Sequence, residues 1–528
     1  MAVPSIPPTK SPIRRALLIT FAERYINFAA NFVVTAITAR LLTPDDFGVV
    51  AVGMATYFVI TTVQDFGISN YIVQKQQLSR ADARTGCVII ALLSALIAGV
   101  VLLTARPLSG FLHQAGLAPF MLVVGATTLV AAAGTPLLAL MRRDMQFERL
   151  ALVGLAMTVV NTVTVVGLTL LGLGHISFAF SLLAAAVTSS GLAMALRRDW
   201  WIYRPTLKEW RSALAFGIWS SLSDALSRGQ DLMLVLVLGH GWPPATVGQF
   251  NRASFLANMP TKLLMAGIAP VALPRFAALS RSGGDLKRAY FQALSLKSCL
   301  LWPAVILLAI LAEPIVLVLL GGQWLGAIPV LRILALGQIF VPPLAFAFAI
   351  LSAAGAVKNA AVLGLVTLIA QAIVACLSVP YGAVVMAWAL LGYTALSAAL
   401  AVAVTRRIVG FTLREFALAL VPSASVTALA IAGPLVLLAL RHFRLDISIP
   451  EAFAIGAVAV IGWSAGLKIT GHPLMLELES ALATIAAKLT SMRPGLEQVR
   501  LQLRMMMSTA RSKVLEAVVL STKAWRRS

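Results

Sequence analysis

The sequence predicts an all-α polytopic membrane protein, and three observations lead there. Of its 528 residues 59% are hydrophobic and only 12% charged, with a mean hydropathy of +0.91, far more apolar sequence than a soluble core of this length needs. Many apolar runs exceed about 18 residues, enough to cross the hydrocarbon as a helix. The runs are continuous, which excludes an outer-membrane barrel, whose strands alternate every second residue.

The elements follow in order. The basic, Pro-rich segment 1–15 precedes a long span with no small-residue cleavage site, so it reads as a retained cytoplasmic arm. Apolar runs between polar breaks then give about 14 transmembrane helices. The first six fall near 16–39, 47–66, 86–105, 118–140, 151–171 and 176–196, a block of residues 16–196. A basic linker, 197–212, leads to six more near 213–238, 247–272, 298–320, 328–353, 361–379 and 383–404, a block of residues 213–404. Two accessory spans near 416–440 and 451–469 lie within 405–470, and a basic amphipathic tail, 471–528, is broken at Arg493, Pro494 and Gly495. Such a tail can lie on anionic lipid headgroups at the cytoplasmic face, pack as a helix on a partner or stay partly disordered.

The net charge of +22 would suggest nucleic acid in a soluble protein, but its distribution points to the bilayer instead. Alternate loops collect Lys75, Arg80 and Arg84, then Arg142, Arg143 and Arg149, then Arg197, Arg198, Arg204, Lys208 and Arg211, then Arg275, Arg281, Lys287, Arg288 and Lys297, while the opposite loops are short and hold little beyond Arg40, Arg106, Arg441 and Arg444. By the positive-inside rule both termini of this multi-pass protein are cytoplasmic. The three cysteines form no pair and read as small buried hydrophobes.

Polar residues inside spans are the functional signal, because a charge at mid-bilayer costs a few kcal/mol unless it faces protein or water, by about 2.5–3.5 kcal/mol on insertion scales. In the seventh span Asp224, Arg228 and Asp231 are spaced i, i+4, i+7 and share a helix face. In the first span Arg24, Asn27 and Asn31 share another, bordered by Glu23. Asn251, Arg252, Asn258 and Lys262 lie in the eighth span and Arg332 in the tenth. The basic and amide groups suit an anionic, hydroxyl-rich cargo, since arginine forks bind phosphate bidentately. Glu23, Asp224 and Asp231 are the candidates for coupling to H⁺ or Na⁺, or for ion pairs. Each has a structural alternative: Asp224 and Asp231 can neutralise Arg228, Arg252 and Arg332 can snorkel, and Asn27 and Asn31 can join helices. No phosphate loop, nucleophile elbow or H-E-x-x-H occurs and no cofactor is implied, so an enzyme is the minority reading. After the first span comes PDDFGVV from Pro44 and after the seventh PATVGQF from Pro244, an offset of 200 residues that suggests a six-span repeat.

The segment 39–75 resembles the signature of polysaccharide transporters of the MOP flippase superfamily, carried here by Arg40, Leu41, Leu42, Asp46, Phe47, Gly48, Asp65, Gly67 and Gln74. Stretches 247–280 and 320–336 look like that family's eighth span and its ninth-to-tenth connection. The resemblance implies two six-helix lobes, an N-lobe and a C-lobe, around a central cavity, with two accessory helices. It also implies flipping of an undecaprenyl-pyrophosphate-linked oligosaccharide by alternating access for exopolysaccharide, O-antigen or capsule synthesis, alongside a polymerase and chain-length machinery. The alternatives are a multidrug exporter of the same superfamily, whose cavity should be acidic and aromatic, or a flippase for a peptidoglycan lipid precursor.

Overall fold

The computed structural model describes residues 12–282 and 284–479, with the side chains of 12–24, 219–232, 266–275, 277, 281 and 357 outside the description. Among the described residues every regular element is a helix: α1 (Pro12–Leu41), α2 (Pro44–Asp65), α3 (Ile68–Gln74), α4 (Arg80–Phe111), α5 (Leu117–Arg143), α6 (Phe147–Leu170) and α7 (Ile176–Leu196). Then come α8 (Trp210–Gly241), α9 (Pro244–Arg281), α10 (Leu286–Ile310), α11 (Ala312–Leu319), α12 (Ile328–Gly337) and α13 (Val341–Ala353). The chain continues through α14 (Val357–Ser378), α15 (Ala383–Val409), α16 (Leu413–Leu440) and α17 (Ile449–Thr470). Eleven segments among the described residues are long and apolar enough to cross a membrane, with α12 and α13 in one of them. The first, seventh and eighth spans fall on α1, α8 and α9, which have 30, 32 and 38 residues.

Large apolar side chains point outward along these helices, for example Leu103 at 78%, Leu171 at 76% and Phe453 at 76% exposure. In water such a belt would aggregate; against lipid it costs nothing. Cys87 and Cys299 are buried as expected, whereas Cys376 is exposed on α14.

α2 and α9 open with matched hairpins. Thr43 Oγ1 accepts the backbone N–H of Asp46 while the Asp46 carboxylate accepts from the backbone of Thr43, a capping box with Pro44 in the first turn. The 200-residue offset is a physical contact. A Cβ on Gly48 would overlap the carbonyl oxygen of Pro244, and one on Gly248 would overlap that of Pro44. The N–H of Ala245 also donates to Asp45 Oδ1 at 3.1 Å. Such reciprocity is what a two-fold relation between the blocks would produce.

At the opposite end Phe66 and Gly67 both have positive φ, 43° and 64°, which stops α2 and turns the chain into α3. Phe66 presses on Gly217 of α8, where only glycine fits. The Arg143 guanidinium donates to the carbonyls of Ile72 at 2.7 Å and Lys75 at 2.6 Å, closing the C-terminus of α3. Asp82 is buried beneath Tyr71 Oη at 3.0 Å and Lys75 Nζ at 2.6 Å, and Tyr71 Oη lies 3.0 Å from Ser212 Oγ. Arg84 Nε donates to the carbonyl of Arg204 at 2.6 Å, and Arg197 pairs with Asp144 at 2.7 Å and Asp199 at 2.6 Å. The basic loops that set the expected topology thus also hold the linker.

α16 starts with a Thr412–Glu415 capping box whose carboxylate also receives Lys287 of α10. Gly462 of α17 lets the carbonyl of Leu429 on α16 approach directly. Packing divides the chain after residue 463: the second unit, 464–528, contains the end of α17 and, among its described residues, a helical segment 473–479 in whose first turn Leu474 N–H donates to His472 Nδ1 at 3.1 Å.

Candidate functional site

A cavity of about 530 Å³ opens among α1, α2, α5, α6 and α7. Each wall is a membrane-length helix that carries polar residues on the inward face. α1 contributes Asn27 and Asn31; α2 contributes Tyr57, Thr61, Gln64 and Asp65. Facing them are Thr135 on α5, Thr158, Asn161 and Thr162 on α6, and Ser189 and Ser190 on α7. These groups brace one another. Thr158 Oγ1 donates to Asn27 Oδ1, Asn31 Nδ2 donates to the carbonyl of Asn27 at 2.8 Å, and Asn161 Nδ2 donates to Ser181 Oγ at 3.1 Å. Gln64, nearly fully buried, donates to Ser94 Oγ at 3.0 Å and to the Thr128 carbonyl at 2.9 Å. Among the described lining residues the one charged side chain is Asp65, which accepts from Ser69.

Of the residues singled out in the sequence, Asn27 and Asn31 are the pair brought into this cavity. Glu23 and Arg24 on α1, and Asp224, Arg228 and Asp231 on α8, have side chains outside the described residues. Asn258 joins a second polar group: Gln338 Nε2 donates to its Oδ1 at 3.0 Å, and Thr261 Oγ1 donates to Gln338 Oε1 at 2.9 Å. Lys262, one residue further along α9, is exposed. Arg332 lies 3.8 Å from Glu313, with its Nε buried and without a hydrogen-bond partner.

Arg252 sits elsewhere, in a seal at the hairpin end. Its guanidinium lies 4.3 Å from the Phe47 ring centroid and donates to Asn251 Oδ1 at 2.8 Å. Phe47 meets Trp324 edge-on at 5.3 Å. Trp324 Nε1 and Gln323 Nε2 donate to the Ala39 carbonyl at 2.7 and 2.6 Å, Gln323 also reaches Leu42 O at 2.9 Å, and Arg40 donates to Val318 O. The orphan carbonyls at the end of α1 are therefore capped by side chains from the second block.

Sequence reasoning missed Tyr57, Gln64, Thr158 and Asn161. The signal was present, since Gln64 and Asn161 stand inside apolar runs, but amides were picked out only in spans that also carry Lys or Arg, as Asn27 and Asn31 with Arg24, and the spans of these two carry neither. It also counted Lys297 as a loop charge. Lys297 lies midway along α10, fully buried, with its Nζ 5.6 Å from the Phe346 centroid and no hydrogen-bond partner among the described residues. Lys297→Met is expected to raise the midpoint of thermal unfolding in detergent, because a hydrophobic isostere removes a desolvation cost of about 1–4 kcal/mol. A lowered midpoint would mean that the ammonium is held by groups that compensate it.

This is the fold of multi-helix membrane transporters. The structure is similar to the lipid II flippase MurJ in its inward closed conformation, with TM-score 0.70 over 87% of this chain and 100% of that one at 13% identity. It is also similar to an inward-facing multidrug MATE transporter of the MOP superfamily, with TM-score 0.63 over 73% and 94% of the two chains at 15% identity. Residues 37–329 match the family described as polysaccharide biosynthesis protein, and the chain belongs to that family. Among curated proteins it is 24% identical over 303 residues to the lipopolysaccharide biosynthesis protein WzxC of Escherichia coli K12, covering 56% of this chain and 61% of the relative. It is 27% identical over 321 residues to the succinoglycan biosynthesis transport protein ExoT of Rhizobium meliloti, covering 60% and 64%. The matched region thus spans less than two thirds of either relative.

Proposed function

We propose that the chain moves a lipid-linked oligosaccharide, a repeat unit of a surface polysaccharide on an undecaprenyl-pyrophosphate carrier, from the cytoplasmic to the outer leaflet, with no catalytic step. The observation that carries this reading is a cavity lined by hydroxyls and amides, with Asp65 the one charged side chain among the described lining residues, inside a membrane-length helix bundle of a polysaccharide-biosynthesis family. The head group needs a wet route, whereas the polyprenyl tail can stay in lipid. The hairpin end, sealed by Gly48, Gly248 and Trp324, is taken as the outer side, because the basic loops cluster at the other. Alternating access would open that seal while closing the basic end. A doubly negative pyrophosphate moved outward across 100 mV gains about 4–5 kcal/mol, so voltage alone favours export. Coupling to H⁺ or Na⁺ through Glu23, Asp224 or Asp231 would add to it.

The test is to delete the gene and measure lipid-linked repeat units on the cytoplasmic leaflet together with surface polymer. Accumulation with polymer loss, reversed by the wild type and not by Arg228→Ala or Lys262→Ala, is expected. Normal polymer with new sensitivity to cationic drugs would overturn the reading in favour of a drug exporter.

A further inference from the structure

We propose that the cavity among α1, α2, α5, α6 and α7 is a dedicated subsite for neutral sugar residues of the cargo, separate from whatever holds its phosphates. The inference rests on the flippase reading above. Its volume, about 530 Å³, falls within the range of small-molecule sites. Twelve of its eighteen lining side chains carry a hydroxyl, amide or carboxylate. A sugar hydroxyl both donates and accepts, and so do Asn, Gln, Ser and Thr, so such walls can satisfy a ring of hydroxyls in several orientations. Among the described lining residues Tyr57 supplies the one aromatic surface, with its own hydroxyl for a polar edge.

The chemistry argues against a phosphate as the occupant. No described lining residue is basic, and Asp65 would repel a phosphate. Of the candidate basic residues whose side chains are described, Arg252, Lys262 and Arg332 belong to α9 and α12, outside the cavity walls.

The experiment places a benzophenone amino acid at Tyr57 in the full-length protein and irradiates membranes holding either probe. One probe is the host's lipid-linked saccharide, labelled in its sugars by growth on tritiated glucose; the other is undecaprenyl [³²P]pyrophosphate without sugar. Cross-linking to the sugar-bearing probe is expected to exceed that to the sugar-free one by roughly tenfold, the worth of one or two lost hydrogen bonds. In the deletion strain Asn161→Leu is expected to cut transport about tenfold, and Thr61→Val about threefold. Thr61 is the safer probe of folding, since it bonds the carbonyl of Phe58 on its own helix. Equal cross-linking to both probes, or full transport in both variants while the deletion itself accumulates cargo, would overturn the subsite and leave the flippase standing. A deletion that accumulates no lipid-linked saccharide would overturn the flippase reading and the subsite with it.

Discussion

Gly48→Leu is expected to abolish delivery of surface polymer while leaving the protein in the membrane. At this position a side chain would meet the backbone carbonyl of Pro244 in the first turn of α9, so relief requires moving one helix backbone against the other, both helices being started by proline. Local propensity runs the other way: leucine in a helix is favoured over glycine by about 0.8 kcal/mol. Any loss therefore reports the contact between the blocks. Overpacking of this kind costs about 1–3 kcal/mol, which would shift the balance between sealed and open hairpin ends by roughly 5–150-fold. The measurement is labelling of Val247→Cys by an impermeant maleimide from the hairpin side in a Cys376→Ala background. Val247 is 1% exposed in the seal, so it should be protected with Gly48 in place and labelled quickly with leucine there. Gly248→Leu should behave alike, because the contact is reciprocal. Full polymer and unchanged protection in both would mean that this contact seals nothing.

Fold class was legible because long apolar runs leave few alternatives to a helix bundle, but apolar runs alone put the second and third spans at 47 and 86, inside helices that begin at Pro44 and Arg80 behind the capping boxes of Thr43 and Ser79. The hairpin repeat was visible as a string match; that its two copies touch is a property of packing across 200 residues, which periodicity does not carry. The site was half legible. Asn27 and Asn31 stood out by sharing a helix face, but Gln64, Thr158 and Asn161 gain meaning only once α2 and α6 close around α1. Arg252 and Lys297 show the opposite failure. A charge in or beside a span signals an interior position, yet not whether it meets cargo, an aromatic ring or, as with Lys297, a buried apolar wall. Arg143 and Arg84, read as topology signals, also serve as caps for carbonyls of α3 and the linker, because short-range spacing cannot distinguish a solvated arginine from one that closes a helix end.

Trp324→Ala is expected to have the second largest effect, and the comparison with Trp324→Phe separates its two contributions. The indole is fully buried, meets Phe47 edge-on, and donates to the carbonyl of Ala39. Truncation to alanine at such a position costs about 3–5 kcal/mol. Phenylalanine keeps most of the packing and removes the hydrogen bond, leaving a buried carbonyl short of one donor at a cost of about 1–3 kcal/mol. Gln323 still donates to the same oxygen, so the lower end of that range is expected. If Trp324 is a latch between the blocks, both losses fall on the sealed conformation alone. Labelling at Val247→Cys should then rise modestly with phenylalanine and strongly with alanine, with polymer output falling in the same order. If Trp324 is only part of the core of its own block, the alanine variant should unfold at lower temperature while the Val247 position stays as protected as in the parent, and transport should track the amount of folded protein. The two outcomes differ in the labelling rate per folded molecule, which is the quantity to measure.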